Sequence, residues 1–390
     1  MSMSPEVVQQ VREAVNIDRL LDTAVKLIEI PSPTRSAGKV ADFLAQLLTD
    51  EGFQVERLDA GWSDAPAVIA RMDSGAPGKT LQFNGHLDTV HLPFVPPRIE
   101  DGKLYGSSAS DMKGGFAAAV EAARAVRDTG LLKSGSLLLT AHDMHEKPWG
   151  DGKQVDELIR AGVIGDAVML PEYFCSALPV IGRGMTIVDI TITRDGEPMH
   201  EMMGGREQPN VIVAGSKLVS RFAELDEELA KITHPLAGRE NIFQGMMHSG
   251  EIFNQSPTRM EIKGTRRWLP QTTFEFVQQQ ILDIAAEVAE ATNTHIDVKF
   301  QIARDAYQID ENEDIVKAFQ SAHEGATGQQ LPLGAKPFVD DGNTFVRLGG
   351  IPAITHGPDA KGAHTVNEEV PINELERIAN VYALTALAFC

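Results

Sequence analysis

Cysteine is almost missing from this chain: Cys175 and Cys390 are the two among 390 residues. Two thiols cannot build a disulfide framework, so the composition predicts a protein of the reducing cytoplasm, stabilised by its core. Any metal must then be held by His, Asp and Glu. Basic residues are the second shortage, with 35 Lys and Arg against 55 Asp and Glu and a formal net charge of −20. Phosphate backbones and anionic membrane surfaces are gripped by excess Lys and Arg, so this balance argues against nucleic acid and membrane as partners and leaves small-molecule substrates. Long apolar runs are absent too: none approaches the roughly 20 residues that cross a bilayer. Residues 1–16 also lack the basic start and apolar centre of a signal peptide. What is present, 43% hydrophobic and 23% charged residues, describes a soluble globular protein. At 390 residues it exceeds one ordinary core, which predicts two domains or one domain with a large insertion.

Metal-capable side chains follow the apolar runs. Lys79 to Phe83 reads as a buried strand, and in Phe83-Asn84-Gly85-His86-Leu87-Asp88-Thr89-Val90 the residues His86 and Asp88 fall just past its end, on one side of the chain. Strand ends are where α/β sheets build sites. His86 offers a ring nitrogen to a borderline metal, and Asp88 is spaced to steer the proton on the other nitrogen. Asp111, in Ser110-Asp111-Met112-Lys113-Gly114-Gly115, enters at the start of an Ala-rich helix over Phe116 to Val126, where a carboxylate meets the positive end of the dipole. Gly114 and Gly115 weaken that first turn, which predicts a close packing contact there. The strand Ser136 to Thr140 ends in Ala141-His142-Asp143-Met144-His145-Glu146, and Ala167 to Leu170 ends in Pro171-Glu172. Near the C-terminus stands Gly362-Ala363-His364-Thr365. Together His86, Asp111, Glu146, Glu172 and His364 suit two divalent ions of the Zn, Mn or Co kind, with one carboxylate bridging and each ion open to water. Such a pair activates water and polarises a substrate carbonyl.

The rest of the chain reads as scaffold. Ile17 to Ile30 and Lys39 to Asp50 are amphipathic helices, and Ala67 to Met72 and Lys79 to Phe83 read as strands paired around Gly75-Ala76-Pro77-Gly78. From about Gly184 the pattern changes to strand (Thr186 to Thr193), helix (Val211 to Ile232), strands (Ile242 to Phe253, Arg259 to Arg266), helix (Phe274 to Ala291) and strand (His295 to Ile302). That βαββαβ order is the split ferredoxin-like unit, a four-stranded antiparallel sheet with two helices on one face. It is read as a domain over 184–303 inserted in a catalytic domain over 1–183 and 304–390. Its edge strands need a partner, which predicts a homodimer through the insertion. The chain closes with a helix over Glu311 to Glu324, a strand within Phe345 to Ile354 and a helix over Ile372 to Phe389.

In order along the chain, Gly85-His86-Leu87-Asp88-Thr89-Val90, Asp111-Met112-Lys113-Gly114-Gly115, Pro171-Glu172, and Gly357-Pro358 followed by Ala363-His364-Thr365 form a specific set. Asn254, Pro257, Arg267 and Pro270 add a fifth match. The sequence resembles the metal-dependent aminoacylase and carboxypeptidase family that includes acetylornithine deacetylase, succinyl-diaminopimelate desuccinylase and bacterial glutamate carboxypeptidase. The resemblance implies an α/β zinc-exopeptidase-like catalytic domain carrying an inserted ferredoxin-like lid and dimerisation domain. It implies that His86, Asp111 and Glu172 hold one ion and Asp111, Glu146 and His364 the other, with Asp88 behind His86. It implies that His200, in Gly196-Glu197-Pro198-Met199-His200, reaches the oxyanion of the partner's site. Asn254 and Arg267 then hold a substrate carboxylate, and Asp341, in Val339-Asp340-Asp341-Gly342, lies near the metals and the substrate.

One departure bears on the chemistry. Most members carry two adjacent glutamates after the third strand, a general base and then a ligand, whereas this chain has Met144-His145-Glu146-Lys147-Pro148. If Glu146 is the ligand, His145 stands in the base position. Alternatively Glu146 is the base of a one-metal site, or Asp143 reaches in. The expected activity is hydrolysis of an amide C–N bond in an N-acyl amino acid or short peptide. A less usual C–N bond, in an aromatic amine or ring amide, goes with the one-metal arrangement, and a metal-dependent binding protein is the reading from outside enzymes.

Overall fold

The structure is a computed structural model that describes residues 3–390, apart from the side chains of 302 and 303. Contacts divide the chain into two units, one of Met1–Val180, Ile309–Lys336 and Asp340–Cys390, the other of Ile181–Gln308 and Pro337–Val339. The first unit is built on a six-stranded mixed sheet in the order Gln54–Leu58, Ala67–Asp73, Ser136–His142, Thr80–His86, Ala167–Leu170, Ala353–Thr355. The last four of these run parallel, and the first two are antiparallel.

Sequence pattern and structure differ at one pairing. Ala67–Asp73 and Thr80–His86 do not form a hairpin, because Ser136–His142 lies between them and pairs with both. The turn after Asp73 is committed elsewhere: the Ser74 N–H donates to the Gly135 carbonyl (3.1 Å) and the Gly135 N–H to that of Ala76 (3.0 Å), which holds the later strand in place. Leu137, Leu138 and Leu139 are buried there as a continuous apolar run, the signature of a strand covered on both faces. The chain thus leaves Thr80–His86 for the strand on one side of it, then returns to Ala167–Leu170 on the other. Carboxyl ends at such a topological switch point form the crevice where α/β proteins place ligands.

The helix Lys113–Thr129 begins three residues earlier than its apolar pattern and is buried from Lys113 to Val126. Gly114 and Gly115 make this possible: a Cβ on the first would collide with the Ala109 carbonyl, and on the second with that of Pro171. The close packing expected at these glycines is therefore the seating of the helix N-terminus beside Glu172. Lys113 anchors the same turn, its buried ammonium donating to the carbonyls of Leu27 (2.9 Å) and Ile30 (3.3 Å) and to Ser32 Oγ (2.8 Å). A helix over Pro5–Ala14 was not evident from the pattern; Val11 is its one buried residue, too little for a periodic signal.

The second unit has a four-stranded antiparallel sheet in the order Asn241–Ser249, Arg259–Trp268, Gly184–Thr193, His295–Arg304, with helices Val211–Leu229 and Phe274–Thr292. Along Gly184–Thr193 buried and partly buried residues alternate with period two, as a sheet with one covered face requires. Val188, Ile190 and Ile192 meet Leu218, Phe222 and Ile281 of the helices in one apolar core.

Candidate metal centre

His86 is the last residue of its strand rather than the first beyond it, and its ring is fully buried. Its Nε2 lies 3.1 Å from Asp111 Oδ1, while Nδ1 faces the Asp88 carbonyl oxygen at 2.9 Å and the Asp88 carboxylate at 3.6 Å. Asp88 therefore orients His86 chiefly through its backbone. Its carboxylate does a second job: it accepts the backbone N–H of Glu146 (2.9 Å) and of His145 (3.3 Å), which fixes the turn that carries both. On the other side Asp111 Oδ2 meets His364 Nε2 at 3.2 Å, and Glu146 Oε2 meets the same nitrogen at 3.1 Å. His364 sits on a left-handed backbone, with φ of 61°, and its ring is half exposed.

The ligand atoms of His86, Asp111 and Glu146 lie within 4.8 Å of one another, and so do those of His86, His145 and Glu172. Buried imidazoles and carboxylates at this spacing are the donor set of divalent metal ions. Four of the five expected ligands, His86, Asp111, Glu146 and His364, are joined by direct contacts. Glu172 is adjacent, in the group that His145 also enters.

The electrostatics agree with a site built for cations. Burial lowers the His86 pKa, but hydrogen bonds to Asp111 and Asp88 outweigh it and leave it well above the usual value. Hydrogen bonds to Asp111 and then Glu146 raise His364 to about 10. Burial, reinforced by the charge of Asp111, pushes Glu172 well above the ordinary carboxyl range. Burial acts the same way on Asp111, yet the two histidines hold its pKa below normal. Without metal the site thus keeps protons on His86 and His364 at neutral pH, and those protons must leave when a cation takes their nitrogens. Zinc titration at pH 7 in two buffers of different ionisation enthalpy is expected to show net proton release, with affinity rising as pH increases from 6 to 8. Identical heats in both buffers would count against these nitrogens as ligands.

The three candidate proton carriers are separated by their partners. Asp143 is committed to the backbone: its carboxylate accepts the N–H of Arg35 (2.9 Å), Ala37 (3.0 Å) and Met144 (2.6 Å), so it does not reach in. Glu146 faces His364, as a ligand would. His145 stacks on His86, with ring centroids 4.2 Å apart and 3° between planes, and its Nδ1 lies 3.1 Å from Asp341 Oδ1. Asp341, expected near the metals and the substrate, is buried with both oxygens engaged, Oδ2 being 2.8 Å from His142 Nε2 and 3.0 Å from Asn84 Nδ2. Burial opposes its charge, but the fields of His145 and His142 hold its pKa well below normal.

His200, Asn254 and Arg267 belong to the second unit. His200 lies on a small ribbon of Met199–His200 and Gln255–Ser256, and Asn254 immediately precedes its second strand. His200 Nδ1 accepts the Met202 N–H (3.1 Å), and its Nε2 lies 2.9 Å from the Asn254 side-chain amide nitrogen. Arg267, on Arg259–Trp268, is half-buried, and its Nη1 has no hydrogen-bond partner among the described residues. Burial, and then repulsion from Arg183, lowers its pKa.

Several contributors escaped the sequence pattern. Glu368 accepts from the backbone N–H groups of Ser108 (2.9 Å), Ser110 (3.1 Å) and Asp111 (3.1 Å), so it pins the loop that presents Asp111. Asn84 and His142 support Asp341. Their one sequence signal is that both are polar residues at the ends of otherwise apolar strand runs.

Histidines and carboxylates gathered around a switch point, at and beside the carboxyl ends of parallel strands, have the make-up of a divalent-metal centre. Residues 82–388 match peptidase family M20/M25/M40, and the chain belongs to that family. It is 26% identical to succinyl-diaminopimelate desuccinylase of Cereibacter sphaeroides over 377 residues, covering 91% of this chain and 95% of that protein. It is 23% identical to N-formyl-4-amino-5-aminomethyl-2-methylpyrimidine deformylase of Bacillus subtilis, with 96% and 95% covered. In three dimensions it is similar to aminopeptidase PepT from Bacillus cereus, with a TM-score of 0.80 at 18% identity over 96% of this chain and 99% of that one. Human carnosine dipeptidase 1 gives 0.77 at 14% identity, over 100% and 99%.

Proposed function

We propose that this protein hydrolyses the amide bond of a small carboxylated substrate, an N-acyl amino acid or short peptide, at a centre of two divalent ions. Zinc is the first choice, with manganese or cobalt able to replace it. The observation that carries the reading is the convergence of His86, Asp111, Glu146 and His364. His86, Asp111 and Glu172 would hold one ion and Asp111, Glu146 and His364 the other, with Asp111 shared. When bound, the ions supply an activated water and a polarised scissile carbonyl.

The chain's own residues do the rest. His145 donates a hydrogen bond from Nδ1–H to Asp341 and keeps a lone pair on Nε2, where it takes a proton from the attacking water and passes it to the leaving amine. His200 of the partner subunit donates its Nε2–H to the oxyanion. Arg267, with Asn254 beside it, receives the substrate carboxylate; a guanidinium presents the paired donors that a carboxylate fits. The dimer this requires is supported by the edge strand Asn241–Ser249, which leaves Phe243, Met246 and Met247 exposed. The two free thiols, Cys175 and Cys390, support a cytoplasmic location. Relatives named for desuccinylation, deformylation and peptide cleavage support an amide substrate.

The test is metal content joined to a substrate panel. Protein stripped with chelator and reloaded should take up two ions per chain, and should cleave N-succinyl or dipeptide substrates faster than their decarboxylated analogues. One ion per chain, or no preference for the carboxylate, would sink this reading.

A further inference from the structure

Strands buried on both faces of a parallel sheet are normally near-continuous apolar runs. Beneath the metal centre that rule is broken four times. Gln82 and Asn84 on Thr80–His86, and Thr140 and His142 on the neighbouring parallel strand, are all buried. They form one hydrogen-bonded line. The Gly165 N–H donates to Gln82 Oε1 (3.0 Å), Gln82 Nε2 to Thr140 Oγ1 (2.8 Å), the Thr140 hydroxyl to Asn84 Oδ1 (2.8 Å) and Asn84 Nδ2 to Asp341 Oδ2 (3.0 Å). Each link fixes the direction of the next, so every donor points toward Asp341. Such a fully satisfied buried line defines one arrangement of its members.

His142 completes it. Its Nδ1 lies 2.9 Å from the Asp143 carbonyl oxygen and its Nε2 2.8 Å from Asp341 Oδ2. The Asp143 carbonyl can only accept, so Nδ1 donates to it; Nε2 lies closer to the Asp341 oxygen than to the Asn84 amide nitrogen at 3.3 Å, and against a carboxylate it donates as well. A buried carboxylate stays ionised only when an opposite charge and further donors compensate it. His142 and Asn84 supply both to Asp341. An ionised Asp341 can in turn only accept from His145, which places the His145 proton on Nδ1 and the lone pair on Nε2. A ring nitrogen of His145 lies within 4.8 Å of ligand atoms of His86 and Glu172, so the ring borders the metal centre.

We propose that His142 is a positioning residue: with Asn84 it holds Asp341 fixed and ionised, so that His145 meets the metal centre through Nε2. The proposal rests on the reading of His145 as proton carrier, and its test separates the two. In zinc-loaded enzyme carrying 15N-labelled histidine, the His145 signals are identified by their loss in H145Q. The wild-type ring is expected to show a protonated Nδ1 and an unprotonated Nε2. His142→Leu should give mixed tautomers at His145 and lower kcat by about 10–100-fold, the scale of losing a residue behind a metal site, with KM and zinc content retained. His142→Gln, which returns a donor to Asp341, should recover most of that loss. An unchanged tautomer and kcat in H142L, or a loss that merely tracks zinc content, would overturn the proposal. If H142L does not fold, Thr140→Val loosens Asn84 from further along the line and should shift the same signals to a smaller degree; unchanged signals there also overturn it. Full activity in H145A would end the proton-carrier reading while leaving the tautomer result intact.

Discussion

His145→Ala is expected to lower kcat by about 10²–10⁴-fold, the contribution of a positioned acid–base group, while the protein keeps two ions per chain. The expectation follows from the separation of partners around the centre. Glu146 shares His364 with Asp111, the position proposed for a ligand, whereas His145 is tied at Nδ1 to Asp341, the position proposed for the proton carrier. Elemental analysis beside the kinetics makes the result decisive. If H145A loses one ion together with its turnover, His145 is a ligand and the proton must travel by another route. If H145A turns over at the wild-type rate, the replacement of the usual base by histidine has no catalytic meaning here.

His200→Ala should cost about 10²–10³-fold in kcat, the scale of removing one oxyanion donor, with little effect on metal content. The Met202 N–H on Nδ1 fixes the ring's orientation, and Nε2 is the nitrogen that must turn from Asn254 to the oxyanion. A role across the dimer makes a sharper claim. Mixing H200A with H145A, each nearly inactive alone, should restore activity. A hybrid dimer has one site with its own His145 and the partner's His200. Failure of the mixture to exceed either variant, under conditions where subunits exchange, would place His200 in its own subunit's site or outside catalysis.

Much of the candidate site was legible because ligation is a property of side-chain type and because α/β sheets put sites at strand ends. His86, Glu146 and Glu172 each follow a short apolar run, and the run itself announces the strand. Asp111 and His364 lie in loops; the Ala-rich helix that follows marks the first, and the family motif strengthened the second. The hairpin expected between Ala67–Asp73 and Thr80–His86 failed for a different reason. A strand's neighbours are chosen by the whole sheet, and a strand 50 residues downstream in the chain competed successfully for both edges.

The sequence by itself determined the chemistry available here: an acidic chain with two cysteines, a histidine and carboxylate ligand set, and an inserted βαββαβ pattern of period two and 3.6. Only the tertiary structure decided which side chains serve that chemistry indirectly. Asp341 and His142 are separated by 199 residues and Asp341 and Asn84 by 257, so no local pattern could join them. Hydrogen bonds are directional and short, and which groups share one is settled by how strands pair and helices seat. The tautomer of His145 is therefore written in the packing rather than in the order of residues.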